Sequence, residues 1–173
     1  MKSFEENVIA RLRLLEREVE RLRVGDKADS AAFLLDSGWK SYTPMWTAST
    51  ANPTIGNGTL VGRYTQIGKT CILVIGLTMG STTTYGSGNW SFGLPKTAKN
   101  TTGISFYGVA HLRNSGTANY ERIAQISPSI STTVINMFTD PTPGSNSANI
   151  SATVPFTWGN GDALGIEITY EIA

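Results

Sequence analysis

The sequence predicts a mainly β protein, an antiparallel jelly-roll-like β-sandwich preceded by a short α-helical coiled coil. Three observations predict it. Near the N-terminus, apolar residues recur at alternating steps of three and four in a segment whose remaining positions are mostly Arg and Glu. Charge is concentrated there as well: residues 1–36 hold 7 Lys/Arg and 8 Asp/Glu, leaving 7 and 5 for the rest of the chain. From Trp39 onward the pattern changes to short runs of Thr, Val, Ile and aromatics, separated by Gly, Asn, Ser and Pro. These shifts divide the chain into a coiled coil over 1–25, a linker or collar over 26–38 and a β head over 39–173.

The heptad places Leu12 and Val19 at a, and Val8, Leu15 and Leu22 at d. Arg11 and Glu18 then fall at g, with Glu16 and Arg23 at e. Each g residue meets an opposite charge at the e position of a parallel neighbour. Arg11-Leu12-Arg13-Leu14-Leu15-Glu16 resembles the short trimerisation motif of parallel coiled coils. In that motif the Arg stem covers the seam while its guanidinium reaches a neighbour's Glu. Homotrimerisation through Val8, Arg11, Leu12, Leu15, Glu16, Val19 and Leu22 is the expectation. About three heptads make a short coil, so the head is expected to help hold the chains together.

Gly25 is the expected helix end. Ala31-Ala32-Phe33-Leu34-Leu35 reads either as a further helical turn or as an apolar collar, with the collar preferred. Strands are expected over 41–47, 59–66, 69–78, 88–94, 103–112, 118–127, 131–139, 148–154 and 163–172. Gln66-Ile67-Gly68-Lys69 marks a tight hairpin. In the last strand Ile166, Ile168 and Tyr170 alternate with Glu167, Thr169 and Glu171, giving one buried and one solvated face. Pro95, Pro128, Pro141, Pro143 and Pro155 fall at strand ends, where a missing N–H costs least.

The head also resembles a known family. Trp39 with Tyr42-Thr43-Pro44-Met45-Trp46-Thr47, then Ile55-Gly56-Asn57-Gly58-Thr59-Leu60-Val61-Gly62-Arg63-Tyr64, is similar to modules of bacteriophage and prophage tail proteins. Gly68-Lys69-Thr70, Leu77 to Thr84, Phe92-Gly93-Leu94-Pro95, Pro155-Phe156-Thr157-Trp158, Gly161-Asp162 and Tyr170-Glu171-Ile172-Ala173 extend the likeness over nearly all of 39–173. That family includes receptor-binding tips and minor tail proteins, usually homotrimeric. The resemblance implies a virion protein that associates with other virion proteins. It leaves open a tail tip, a structural spike, a head decoration or a filament component.

Composition excludes several classes. A net charge of +1 with no basic stripe argues against nucleic acid as a partner. No apolar run is long enough for a signal peptide or a membrane span, so synthesis in the cytoplasm without membrane insertion is expected. Cys71 is the sole cysteine and sits in an apolar run, which suits a small buried hydrophobe rather than a disulfide. With one histidine, His111, neither a metal centre nor a Ser-His-Asp arrangement is expected. The acids of the head are Glu121, Asp140, Asp162, Glu167 and Glu171. Glu167 and Glu171 share a strand face, where a glycosidase-like pair is conceivable but a solvated face is the simpler reading. Gly56-Asn57-Gly58 and Gly159-Asn160-Gly161 are turn glycines without a phosphate loop's Lys. No catalytic residue and no cofactor is assigned.

Binding is the expected activity. A sugar site combines an aromatic face with amides, hydroxyls and a few charges. Two loops have that composition. One, from Thr82 to Trp90, offers Tyr85, Asn89 and Trp90; the other, from His111 to Tyr120, offers His111, Arg113, Asn114 and Tyr120. An ordinary polar turn with a core aromatic is the competing reading of each, and Trp46 and Trp158 are expected in the core. Host cell-surface polysaccharide is the partner expected for a receptor-binding head. A ligand-free structural protein is the alternative, and a polysaccharide depolymerase a third.

Overall fold

The computed structural model describes residues 4–36, 38–116, 118–127, 131–139 and 148–173. Side chains are described for these except at 23–36, 118, 120–122, 124 and 138–139. The chain forms two units, Met1–Gly38 and Trp39–Ala173.

The first unit is one helix, α1 (Phe4–Asp36). It opens on Glu5 and Glu6, acids that suit the positive end of the helix dipole. It does not stop at Gly25. A lone glycine costs a helix about 1 kcal/mol, and the Ala- and Leu-rich stretch beyond it favours the helical state enough to carry the turn through. Ala31 to Leu35 is therefore helical. The Glu18–Arg21 ion pair, 2.6 Å apart with both side chains largely exposed, adds at most a few tenths of a kcal/mol. What the sequence builds most clearly on α1 is the apolar stripe, and in the single chain it is uncovered. Val8, Leu12, Leu15, Val19 and Leu22 are 39–62% exposed.

The second unit is antiparallel β, and the mainly-β fold with a leading helix is as the sequence predicts. Its strands are β1 (Lys40–Tyr42), β2 (Trp46–Ala48), β3 (Thr59–Ile67), β4 (Thr70–Thr78), β5 (Trp90–Gly93), β6 (Phe106–Asn114), β7 (Ala118–Ile126), β8 (Val134–Thr139), β9 (Ala148–Asn149) and β10 (Ala163–Glu171). They form one sheet in the order β1-β3-β4-β10-β6-β7-β8-β5-β2, with β9 beside β8. Gly68, at φ 57°, occupies the first position of the two-residue β3–β4 turn, where a positive φ is wanted.

The expected strand over 41–47 divides in two. Pro44 has no N–H to donate, and the chain turns there, sending β1 and β2 to opposite ends of the strand order. Only residues 43–45 separate them, a reach of about 14 Å, whereas eight flat inter-strand steps would span about 38 Å. The sheet must therefore curl until its ends meet. One bond crosses the closure, Tyr42 Oη–H donating to Gly93 O (3.3 Å), while Gly93 N–H donates to Met45 O (2.8 Å) in continuation of the β2–β5 ladder. The strand expected over 148–154 is cut to two residues. Beyond it Ser151 and Val154 exchange backbone bonds, and the Ser151 hydroxyl takes the Thr153 N–H (3.4 Å), so the backbone turns instead of extending the ladder. Pro128, Pro141 and Pro143 lie outside the described residues.

Curling sends alternate side chains into a shared core. Cys71, Leu73, Ile75 and Leu77 of β4 meet Leu164, Ile166, Ile168 and Tyr170 of β10, with Ala110, Leu112, Ile135 and Met137. Trp46, Trp90 and Trp158 form an aromatic cluster, with Trp90 perpendicular to Trp46 at 4.9 Å and 5.1 Å from Trp158. Burial pushes the Cys71 thiol up, as a core hydrophobe requires. Outward-facing positions are left to Arg63, Val74, Tyr107, Val109, His111, Arg113, Ile123 and Glu167.

The pairing of β6 with β10 is set by Gly108, because a Cβ there would collide with the Glu167 carbonyl and Ile168. Gly108→Ala should lower stability by about 1–3 kcal/mol. Gly165→Ala, with nothing within 4 Å of the new methyl, should change it by no more than about 0.5 kcal/mol. Urea denaturation of the two variants side by side checks the contrast.

Candidate functional site

Three segments of the head meet at one residue, Asp162. Asp162, 4% exposed, accepts from Ser115 N–H at Oδ1 (2.7 Å) and from Gly159 N–H at Oδ2 (2.6 Å). Its backbone carbonyl accepts from Met79 N–H (2.8 Å), and Gly161 N–H returns a bond to Met79 O (3.0 Å). The segments around Met79, Ser115 and Gly159 are thereby held at one place. Two charge-assisted bonds to backbone donors make this acid a clamp rather than a reactive group.

Beside the clamp, β6 presents His111 and Arg113 on the outer sheet face, both exposed. Their cross-strand neighbours on β10 are Gly165 and Ala163, and Gly76 of β4 lies opposite Gly165 on its other side. Two adjacent glycines leave the sheet bare, and the result is a trough of about 320 Å³ lined by Gly76, Thr78, His111, Arg113, Ala163 and Gly165. Arg113 is steadied by donating to Gly161 O (3.2 Å). A cation, an imidazole and a threonine around an open floor can receive hydroxyls or an anionic group.

The other expected site residues are distributed differently. Asn114 is half-buried at the end of β6 and adjoins the clamped Ser115. Tyr85 is half-buried; burial first and the Asp162 carboxylate second push its phenol above the ordinary value. Trp90 is fully buried and lies in the core, donating its indole N–H to Tyr85 O (2.9 Å). Its ring face cannot stack on a ligand; it holds the Tyr85 backbone. Asn89 lies with β2, β5 and β8 residues in a separate recess. The side chain of Tyr120 and residue Thr117 lie outside the described part. Trp46 and Trp158 are in the core, as expected.

The hydroxyls of the first loop are already engaged. Thr82 Oγ1 accepts from Asn57 N–H (2.9 Å), Thr83 Oγ1 donates to Ile55 O (2.6 Å), and the Thr84 and Thr54 hydroxyls are hydrogen-bonded to each other (2.7 Å). Their role is to fasten one loop to another. Glu171 is paired with Lys99 (2.7 Å), while Glu167 is exposed. Asp140 and the Glu121 side chain are not among the described residues. Among the described residues no three His, Cys, Asp or Glu side chains gather as a metal site, and no helix is long and apolar enough to cross a membrane. Sequence reasoning missed the clamp and the bare trough. Their signals were an acid directly after a turn glycine, and glycines in the middle of two long strands.

Asp162→Ala should cost about 2–4 kcal/mol, since two buried N–H groups lose their acceptor. Asp162→Asn, keeping one carbonyl oxygen, should cost about half as much. Thermal and urea unfolding of both variants measures this, and equal losses would show that the second bond contributes nothing.

No family model and no solved structure matches the chain. A curated relative does: the Mu-like prophage FluMu defective tail fiber protein of Haemophilus influenzae, 32% identical over 134 residues. The match takes in 76% of this chain but 20% of the relative, so the chain spans about a fifth of that protein's length. The head motifs and this homology point the same way, to bacteriophage tail proteins.

Proposed function

We propose that this chain is a tail-associated virion protein that assembles as a parallel homotrimer and presents its β heads to host-surface polysaccharide. The observation that carries the reading is the bare stripe on α1. Five apolar side chains in heptad register stay uncovered in the single chain, flanked by Arg11, Glu16, Glu18 and Arg23 at positions where parallel neighbours would pair. Self-association removes that surface from water, at roughly 25 cal/mol per Å². It also joins three heads, so weak contacts to a repetitive polymer add through effective concentration. Kinship to a tail fibre protein supports a place in the virion among other virion proteins. The trough beside His111 and Arg113 supplies donors suited to sugar hydroxyls or acid groups.

The second reading is a spike, decoration or filament component without a ligand. It is favoured by the Thr82–Thr84 hydroxyls, which are spent on loop-to-loop bonds. A depolymerase ranks last, because Glu171, the would-be partner of Glu167 in a carboxylate pair, is held by Lys99.

Sedimentation equilibrium should return three times the 18.6 kDa chain mass. Replacing Leu15 and Leu22 together with Asp should dissociate the assembly by placing charges in the seam. A wild-type monomer or dimer would sink the trimer. Survival of the trimer in the double variant would assign the association to the heads. On a glycan array, the intact protein should bind host polysaccharide, and Arg113→Ala should lose whatever binding to acidic polymers the trough supplies. Silence across all host polysaccharides would leave the structural reading.

A further inference from the structure

We infer a second binding surface on the head, a row of hydroxyl and amide groups across five strands that fits a neutral polysaccharide. It deepens the reading of a polysaccharide-binding head and rests on it. The register places Thr47 of β2, Ser91 of β5, Asn136 of β8, Gln125 of β7 and Tyr107 of β6 directly opposite one another in sequence across the sheet. Their strand neighbours Trp46, Phe92, Ile135, Met137 and Ile126 point into the core, so the five project outward together. Four inter-strand steps make the row about 19 Å long.

Internal bonds orient the row and leave both kinds of hydrogen-bonding group for a ligand. Ser91 Oγ–H donates to Asn136 Oδ1 (2.8 Å), which engages the carbonyl side of the amide and presents its N–H2 side. Gln125 Nε2 donates to the Tyr107 hydroxyl (3.1 Å), leaving the Gln125 carbonyl as acceptor and the phenol O–H as donor. Sugar hydroxyls are donors and acceptors at once, and alternating partners of this kind satisfy them. At one end the row opens into a recess of about 380 Å³ lined by Thr47, Ser49, Asn89, Ser91, Asn136 and Asn149. At the other end Tyr107, 64% exposed, offers an aromatic face for the apolar side of a sugar ring. No residue of the row or the recess carries a charge, and this selects an uncharged polymer over an acidic one. The trough at His111 and Arg113 has the opposite character and lies four residues along β6 from Tyr107.

The test uses the full-length protein and immobilised polysaccharides in two sets, neutral hexose polymers and uronic-acid or sialylated polymers, over a salt series. Variants are Asn136→Ala, Tyr107→Ala, Tyr107→Phe and Arg113→Ala, each checked for an unchanged melting temperature. The row predicts binding to a neutral polymer that is insensitive to salt. It also predicts about a tenfold or greater loss in Asn136→Ala and Tyr107→Ala, with Tyr107→Phe retaining the stacking part. Binding confined to acidic polymers, salt-sensitive and lost only in Arg113→Ala, would overturn the row while leaving a polysaccharide-binding head. Absence of binding to either set would overturn both.

Discussion

Everything about the head follows from the corner at Thr43-Pro44-Met45. Three residues join the two strands that stand first and last in a nine-strand order, and the sheet has no choice but to close around them. Closure turns one face of every strand into core. It also converts the opposite face into a continuous outer surface whose residues come from segments far apart in the chain. Gly93 stands at the meeting point, accepting from Tyr42 of β1 while its N–H, bonded to Met45 O, extends the β2–β5 ladder. β10 completes the middle of the same surface by entering between β4 and β6, although it is last in sequence. A hairpin meander alone could not have placed Gly165 beside both Gly76 and His111.

Asp162 performs at the loops the part that the corner performs for the strands. Loop backbone is poorly defined unless its N–H and C=O groups find partners, and a buried carboxylate is a strong acceptor for two of them. The carboxylate fixes the segments near Ser115 and Gly159, and the backbone of Asp162 and Gly161 fixes Met79. Arg113, bonded to Gly161 O, inherits that fixity. A surface cation whose position is set by a buried acid can offer a ligand a defined geometry at low entropic cost. The same economy explains Trp90, an aromatic that serves the surface from inside by holding the backbone of Tyr85.

Elements that depend on local pattern were legible in the sequence. The alternation of Ile166, Ile168 and Tyr170 with Glu167 and Thr169 is reproduced as burial, and the hairpin at Gly68 forms where its turn residues stand. The helix was legible in its face but not its length, because Gly25 weakens a helix locally while the following Ala and Leu residues act over several turns. The 41–47 strand was misread as one piece: Pro44 was visible, but the destinations of its two halves depend on seven other strands. The candidate site was legible only in part. His111 and Arg113 share a face by the period of two that any strand obeys. The bare floor at Gly76 and Gly165 needed the register of three strands, and Trp90 looked like a loop aromatic until the fold placed it in the core.

The outer row shows why such a surface escapes a linear reading. Thr47, Ser91, Asn136, Gln125 and Tyr107 belong to no motif, and each is an ordinary solvent-facing strand residue in its own segment. Only register unites them, and register here descends from the closure that the Pro44 corner imposes. The outer face therefore separates two chemistries on one rigid sheet: a charged trough beside the Asp162 clamp, and an uncharged row ending at Tyr107. Between them lie Val109 and Ile123, directly opposite each other on β6 and β7. These apolar side chains accept no hydrogen bond from a sugar hydroxyl, so a polar ligand on the row gains nothing by spreading towards the trough. Two surfaces held apart in this way can be altered independently, by changing outward residues that the core does not use.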